Sequence, residues 1–129
     1  MNFGINTFLF KSPFTTESIS LFPKFKKWGF DSVEIALEDA SHIDASVVKK
    51  ALADNGLICG SMCGAFGEGR DLRGSKQYQQ NSMDYIKSVL DVMAELGSPV
   101  LAGPLYSSVG RAEATAEGEY KRQWETVVG

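Results

Sequence analysis

Four times along this chain a short apolar run leads through a Gly-rich or polar turn into an amphipathic stretch of helical period, and that count constrains the fold more than any other feature. Strands joined by crossover helices lie parallel, and right-handed crossovers place the helices on one side of a sheet that curls. Eight such units close a barrel, whereas four leave an open half. The pattern by itself is compatible with a barrel segment or a doubly wound sheet.

The first strand is expected from Phe3 to Phe8, with Phe3, Ile5 and Thr7 facing one way and Gly4, Asn6 and Phe8 the other. Thr15 or Thr16 can cap a helix running to about Trp28, which Gly29 ends. The second strand, Ser32 to Leu37, sets Val33, Ile35 and Leu37 against Glu34, Ala36 and Glu38. Asp44 is the expected N-cap of a second helix, Ala45 to Asn55, stopped at Gly56. A third strand is expected from Leu57 to Met62. A long helix from about Ser75 to Leu96 follows, with Tyr78, Met83, Ile86, Leu90, Met93 and Ala94 as its apolar stripe and Gly97 as its stop. The fourth strand is placed at Pro99 to Gly103, and Thr115 is the expected cap of a last helix through Val128. Loops after the strands are longer than the returns before them, which is where parallel α/β barrels carry their sites.

Composition removes several functions. The 129 residues carry a net charge of −3 and 43% hydrophobic side chains, those of a single globular domain over residues 1–129. No basic face suited to phosphate neutralisation is present, and Lys24, Lys26 and Lys27 read as a solvated helix face, so nucleic acid is not an expected partner. No apolar run reaches the roughly 20 residues that span a bilayer, and no signal peptide is evident, so neither a membrane partner nor export is expected and the cytoplasm is the expected location. Cys59 and Cys63 lie about 13 Å apart if both sit on one extended strand. That is too far for a disulfide, and the spacing does not suit a zinc site.

Glu34 is the most informative residue. A carboxylate on a strand whose opposite face is aliphatic needs a partner, either in a polar pocket or in a structural ion pair. Asn6 departs from an apolar pattern in the same way, and the two together suggest a polar pocket on one sheet face. Glu38 and Asp39 read as a solvated strand end. His42, the only histidine, reads as a loop or helix-entry residue. Cys63 could be a nucleophile if its thiol were acidified, but without an evident base it reads as a small pocket-lining residue. Gly69-Arg70-Asp71-Leu72-Arg73-Gly74-Ser75-Lys76 has the wrong order for a phosphate loop, and Gly64, Gly67 and Gly69 have the wrong spacing for a dinucleotide fingerprint. Gly103-Pro104 could admit a ligand near the backbone or simply start a loop, and Tyr106 offers a ring and a hydroxyl suited equally to a sugar's mixed surface or to packing the loop.

Phe3-Gly4-Ile5-Asn6-Thr7, Gly29-Phe30-Asp31-Ser32-Val33-Glu34-Ile35, the Cys63-Gly64 turn and Ala102-Gly103-Pro104-Leu105-Tyr106 together resemble the sugar phosphate isomerase/epimerase family with xylose-isomerase-like barrels. Within it the resemblance is to D-tagatose and D-psicose (allulose) 3-epimerases. It implies a fold class of α/β, a parallel (β/α)4 half of a (β/α)8 TIM barrel, and a ketose as substrate. It also implies epimerisation at C3 by proton removal and return through an enediolate held on a divalent metal, Mn or Mg. The family's metal ligands and catalytic glutamates come from strands five to eight, so no catalytic or metal residue is expected here. What carries over is one wall of the sugar pocket: Asn6, Phe8, Glu34, Cys63, Gly64, Gly103 and Tyr106. The expected partners are a complementary half or a second copy, and the chain by itself is expected to be inactive. Assembly or sugar binding without catalysis, and a self-contained four-stranded binding module, are the competing readings.

Overall fold

A computed structural model describes all residues from Met1 to Gly129. Four parallel strands, β1 (Gly4–Asn6), β2 (Ser32–Ala36), β3 (Ile58–Cys63) and β4 (Leu101–Ala102), lie side by side in chain order. Four helices follow them in turn: α1 (Phe22–Lys27), α2 (Ala45–Asp54), α3 (Lys76–Leu96) and α4 (Glu117–Val128). A doubly wound sheet reverses its strand order near the middle, and this one does not. One hydrophobic core forms between the sheet and the first three helices. Ile5, Val33, Ile35, Leu37, Cys59 and Met62 from the strands and strand ends meet Phe22, Phe25, Val48, Leu52, Val89, Val92 and Leu96 from the helices. The other sheet face carries Gly4, Asn6, Ser32, Glu34, Ser61 and Cys63 and no element of this chain packs a core against it. No helix is long and apolar enough to cross a membrane.

Local chemistry explains most boundaries. The Asp44 carboxylate accepts from the Ser46 and Val47 amides at 3.0 and 3.1 Å and starts α2 as expected. Gly97 ends α3 with φ of 70°, a left-handed conformation that glycine adopts without penalty. β1 is shorter than the expected Phe3 to Phe8. Asn6 Oδ1 accepts from the Phe8 amide at 2.7 Å and turns Thr7–Leu9 into a 3-10 turn, which leaves Phe8 60% exposed. The first expected helix is likewise divided, with a 3-10 segment over Thr16–Leu21 preceding α1. Thr115 does not cap α4; its hydroxyl donates to the Glu113 carbonyl at 3.2 Å, and Ala116 takes the cap position.

Two corrections concern which face a residue presents. In α3 the expected stripe is rotated. Met93 is buried and Ile86 packs on the core as expected, but Tyr78, Met83, Leu90 and Ala94 are exposed, and Ser82, Tyr85, Val89, Val92 and Leu96 are buried in their place. Two hydroxyl residues occupy the buried face because their polar atoms are satisfied there: Ser82 Oγ donates to the Tyr78 carbonyl at 2.8 Å and Tyr85 Oη to the Leu37 carbonyl at 2.6 Å. In β3 the register against β2 slips by one residue. Val33 pairs with Cys59 but Glu34 pairs with Ser61, so Gly60 is an extra residue in a bulge. The slip lets Cys59 and Met62, three positions apart, both face the core. Both cysteines are free thiols.

Candidate functional site

The polar face is organised by a row of three residues on adjacent strands. Asn6 pairs with Glu34 in the β1–β2 register, and Glu34 with Ser61 in the β2–β3 register. The Asn6 amide donates to Glu34 Oε1, and Ser61 Oγ donates to Oε2 at 2.6 Å. Asn6 is itself fixed from its other end by the Phe8 amide. The half-buried Glu34 therefore has its partner, and the partner is a hydrogen-bonded row rather than a cation. Each carboxylate oxygen keeps lone-pair capacity beyond the bond it already accepts. A ligand hydroxyl on this face would meet acceptors already held in position.

Above the row, toward the strand C-termini, stand Cys63 and Gly64. Burial, followed by the negative charge of Glu34, pushes the half-buried Cys63 thiol up, which keeps it protonated at neutral pH and unsuited to nucleophilic attack. Gly64 suits the close packing around it. A Cβ there would lie 3.1 Å from Tyr85 Oη and 3.2 Å from Leu105 Cδ2. Gly103 is required twice over, since its φ is 126° and a Cβ would fall 1.9 Å from the Gly64 carbonyl oxygen. The two glycines thus let β3 and β4 touch backbone to backbone at the mouth.

Asn6, Glu34, Cys63, Gly64 and Gly103 occupy neighbouring positions on β1 to β4 or just beyond them. Phe8 adjoins the row through its backbone only. Tyr106 goes elsewhere: it lines a recess of about 510 Å³ with Arg73, Glu113, Tyr120, Gln123 and Trp124, none of them in the Asn6 row. His42 is exposed at the end of a 3-10 turn, and the Lys24, Lys26 and Lys27 face is solvated.

Three site residues escape the sequence reading. Ser61 enters the row only because of the bulge, for which Gly60 inside a strand was the available signal. Tyr85 reaches the mouth from α3. Asp71 joins the rim loops: its wholly buried carboxylate accepts from Arg73 Nη2 at 3.0 Å, Arg111 Nη1 at 3.1 Å and the backbone amides of Arg73 and Ser108 at 2.9 and 3.4 Å. Burial works to raise the Asp71 carboxyl, but the hydrogen bonds from Arg73 and Ser108 and the Arg73 charge outweigh it and hold the group below the usual carboxylate range. Its position between Arg70 and Arg73 was the only sequence hint.

A divalent metal does not fit these residues. No three His, Cys, Asp or Glu side chains gather in one place, and the inner-face carboxylate, Glu34, is already engaged by Asn6 and Ser61.

No family model matches the chain. It is 29% identical over 122 residues to a ketose 3-epimerase of Arthrobacter globiformis, covering 92% of this chain and 42% of that protein. It is 27% identical over 111 residues to a probable ketose 3-epimerase of Synechocystis sp., covering 85% of this chain and 38% of the relative. The fold matches the crystal structure of a D-allulose 3-epimerase from Methylomonas sp. in complex with D-allulose, with a TM-score of 0.84 at 17% identity, over 98% of this chain and 44% of that one. An L-ribulose 3-epimerase structure matches with a TM-score of 0.79 at 19% identity, over 98% and 43%. The chain thus spans less than half the length of the proteins it matches.

Proposed function

We propose, for a chain that resembles ketose 3-epimerases in both sequence and fold, that it forms one half of such a barrel and supplies one wall of the sugar pocket. The observation that carries this reading is the Asn6–Glu34–Ser61 row, displayed on the uncovered face of a parallel sheet among small neighbours. A ketose presents a run of hydroxyls, and a carboxylate flanked by an amide and a hydroxyl offers fixed acceptors to them. Asn6 and Ser61 hold Glu34 against rotation, and Gly64 and Gly103 keep the wall thin enough for the sugar to approach the backbone.

Epimerisation at C3 removes the proton next to the C2 carbonyl and returns one on the opposite face, which calls for acid–base groups on both faces. This chain presents one inner-face carboxylate, occupied by two donors and suited to holding a hydroxyl. The proton-transfer groups and the Mn²⁺ or Mg²⁺ site are assigned to four complementary β/α units. The sheet has open edges at β1 and β4 where such units can pair, contributed by a complementary half or by a second copy of this chain. On this reading the chain by itself binds ketose weakly and does not turn it over.

The test is a titration of the ¹⁵N-labelled chain with D-allulose and D-fructose. Perturbed Asn6 side-chain and Ser61 amide signals, lost in a Glu34→Ala variant, support the wall assignment. Unmoved signals at tens of millimolar ketose overturn it. Fructose–allulose interconversion by the chain alone with added Mn²⁺ overturns the inactivity, and native mass spectrometry distinguishes a second copy from a monomer awaiting another half.

A further inference from the structure

We propose that Tyr85 is a positioning residue for the sugar-facing wall, its hydroxyl replacing one rung of the β2–β3 ladder and holding the two strand ends apart at the mouth. This rests on the pocket-wall reading given above.

The geometry follows from the rule of parallel pairing. A residue that donates to the carbonyl on one side of its partner accepts from the amide on the other side. The Leu37 amide donates to the Cys63 carbonyl at 2.9 Å, so the next rung is due from the Ala65 amide to the Leu37 carbonyl. That rung is interrupted. The Ala65 amide donates to Tyr85 Oη at 3.2 Å, and the same hydroxyl donates to the Leu37 carbonyl at 2.6 Å. A phenol has one proton to give and lone pairs to accept with, so one oxygen completes both bonds and leaves neither strand end unpaired. An extra oxygen now stands where a direct rung would span about 2.9 Å.

The surroundings are built around this insertion. Tyr85 is 6% exposed, its ring meets Phe66 edge-on at 6.1 Å, and the Arg70 guanidinium lies 4.2 Å over its face. Arg70 is tied in turn to the carbonyl of Glu38 at 3.2 Å. Gly64, the residue before Ala65, has no side chain to strike the hydroxyl. On the far side the ladder is intact, with the Gly64 amide donating to the Ala102 carbonyl at 2.9 Å. The wedge therefore opens β2 from β3 alone. That spacing sets where the Cys63–Gly64 wall stands relative to Glu34.

Tyr85→Phe in the full chain removes the oxygen and keeps the ring. The expected result is a folded protein with its thermal midpoint within a few degrees of wild type. The Ala65 amide resonance should be displaced, the Cys63 alkylation rate changed several-fold, and D-allulose affinity reduced about ten-fold. An unchanged Ala65 amide and Cys63 rate would overturn the proposal. A wild-type chain that ignores D-allulose while Tyr85→Phe still shifts Ala65 and Cys63 removes the sugar reading and leaves the wedge standing. If the variant fails to fold, the wild type decides: a slowly exchanging Tyr85 hydroxyl proton with an Overhauser contact to the Ala65 amide supports the relay, and its absence refutes it.

Discussion

Glu34 sits directly opposite Asn6 in the β1–β2 register, and the Asn6 amide donates to its carboxylate while Ser61 binds the other oxygen. Removing the carboxylate leaves two donors without an acceptor on a half-buried face that water can partly reach. Glu34→Ala is expected to lower stability by about 1 kcal/mol, read as a lower urea midpoint at unchanged slope. Glu34→Gln should cost less, because its oxygen can accept from Asn6 and its amide can donate to Ser61. A Gln variant as damaging as the Ala variant would show that charge, and not the hydrogen-bonded row, holds this face.

The two thiols should separate by chemistry. Cys59 is 3% exposed and burial pushes its thiol up to about 11, while the half-buried Cys63 is raised by burial and then by Glu34. Iodoacetamide at pH 8, followed by mass spectrometry, is expected to label Cys63 first and slowly, and Cys59 only on unfolding. Glu34→Gln removes the negative charge beside Cys63 and so should lower its thiol and speed its labelling. Slower labelling in that variant would contradict the electrostatic assignment.

Asp71 gives the rim a pH dependence of definite sign. Its carboxyl lies below the 3.8 of an unfolded aspartate, so the charged form contributes stability above that value, and the contribution disappears as pH falls through the lower folded value. Loops 64–75 and 103–116 are therefore expected to loosen together in acid, with the Ser108 amide losing protection from hydrogen exchange. Asp71→Ala is expected to cost about 2 to 3 kcal/mol. The figure lies below that for a fully buried ion pair because the Arg73 and Arg111 side chains, 19% and 46% exposed, can turn to water. Loops that respond to acid equally well in that variant would assign the effect to another group.

Backbone contact at the mouth is tested by glycine replacement. Gly103→Ala combines a left-handed φ with a Cβ 1.9 Å from the Gly64 oxygen, and is expected to cost about 2 to 4 kcal/mol. Gly67→Ala, in the facing loop, meets nothing within 4 Å and should stay within about 0.5 kcal/mol of wild type. Thermal unfolding of the pair provides the comparison, and equal effects would remove the close approach as the cause.

The sequence discloses what depends on neighbours in the chain and hides what depends on neighbours in space. The Asp44 cap, the stop at Gly97 and the alternation that singles out Glu34 are settled within a few residues, and each is found where expected. The inward turn of Tyr85 in α3 is a tertiary outcome, because its acceptor is the distant Leu37 carbonyl, whereas Ser82 tolerates burial because the Tyr78 carbonyl of its own helix satisfies its hydroxyl. Ser61 joins the row only through a one-residue slip at Gly60, which reverses facing for the rest of β3. Tyr106 reads well as a sugar platform by composition, yet the Leu72 amide donates to its carbonyl at 3.1 Å and ties its loop to the one before α3, while its side chain shares a recess with Tyr120 and Trp124 of α4.

α4 is the element whose stability this chain least explains. None of its residues is buried, Tyr120 and Trp124 are 60% and 58% exposed, and it contains Gly118. A helix of this length is marginal in water unless an apolar face is covered, and an exposed local pair such as Glu119 with Arg122 adds little because water screens it. Its amides are therefore expected to exchange hydrogen far faster than those of β2, on the scale of local fraying instead of global unfolding. Trp124 should emit at the long wavelength of a solvated indole. Covering by a complementary half or a second copy would shift that emission to the blue and slow α4 exchange together. If α4 in the isolated chain proves as protected as β2, the helix already has its cover and the recess lined by Tyr106 and Trp124 is closed from within.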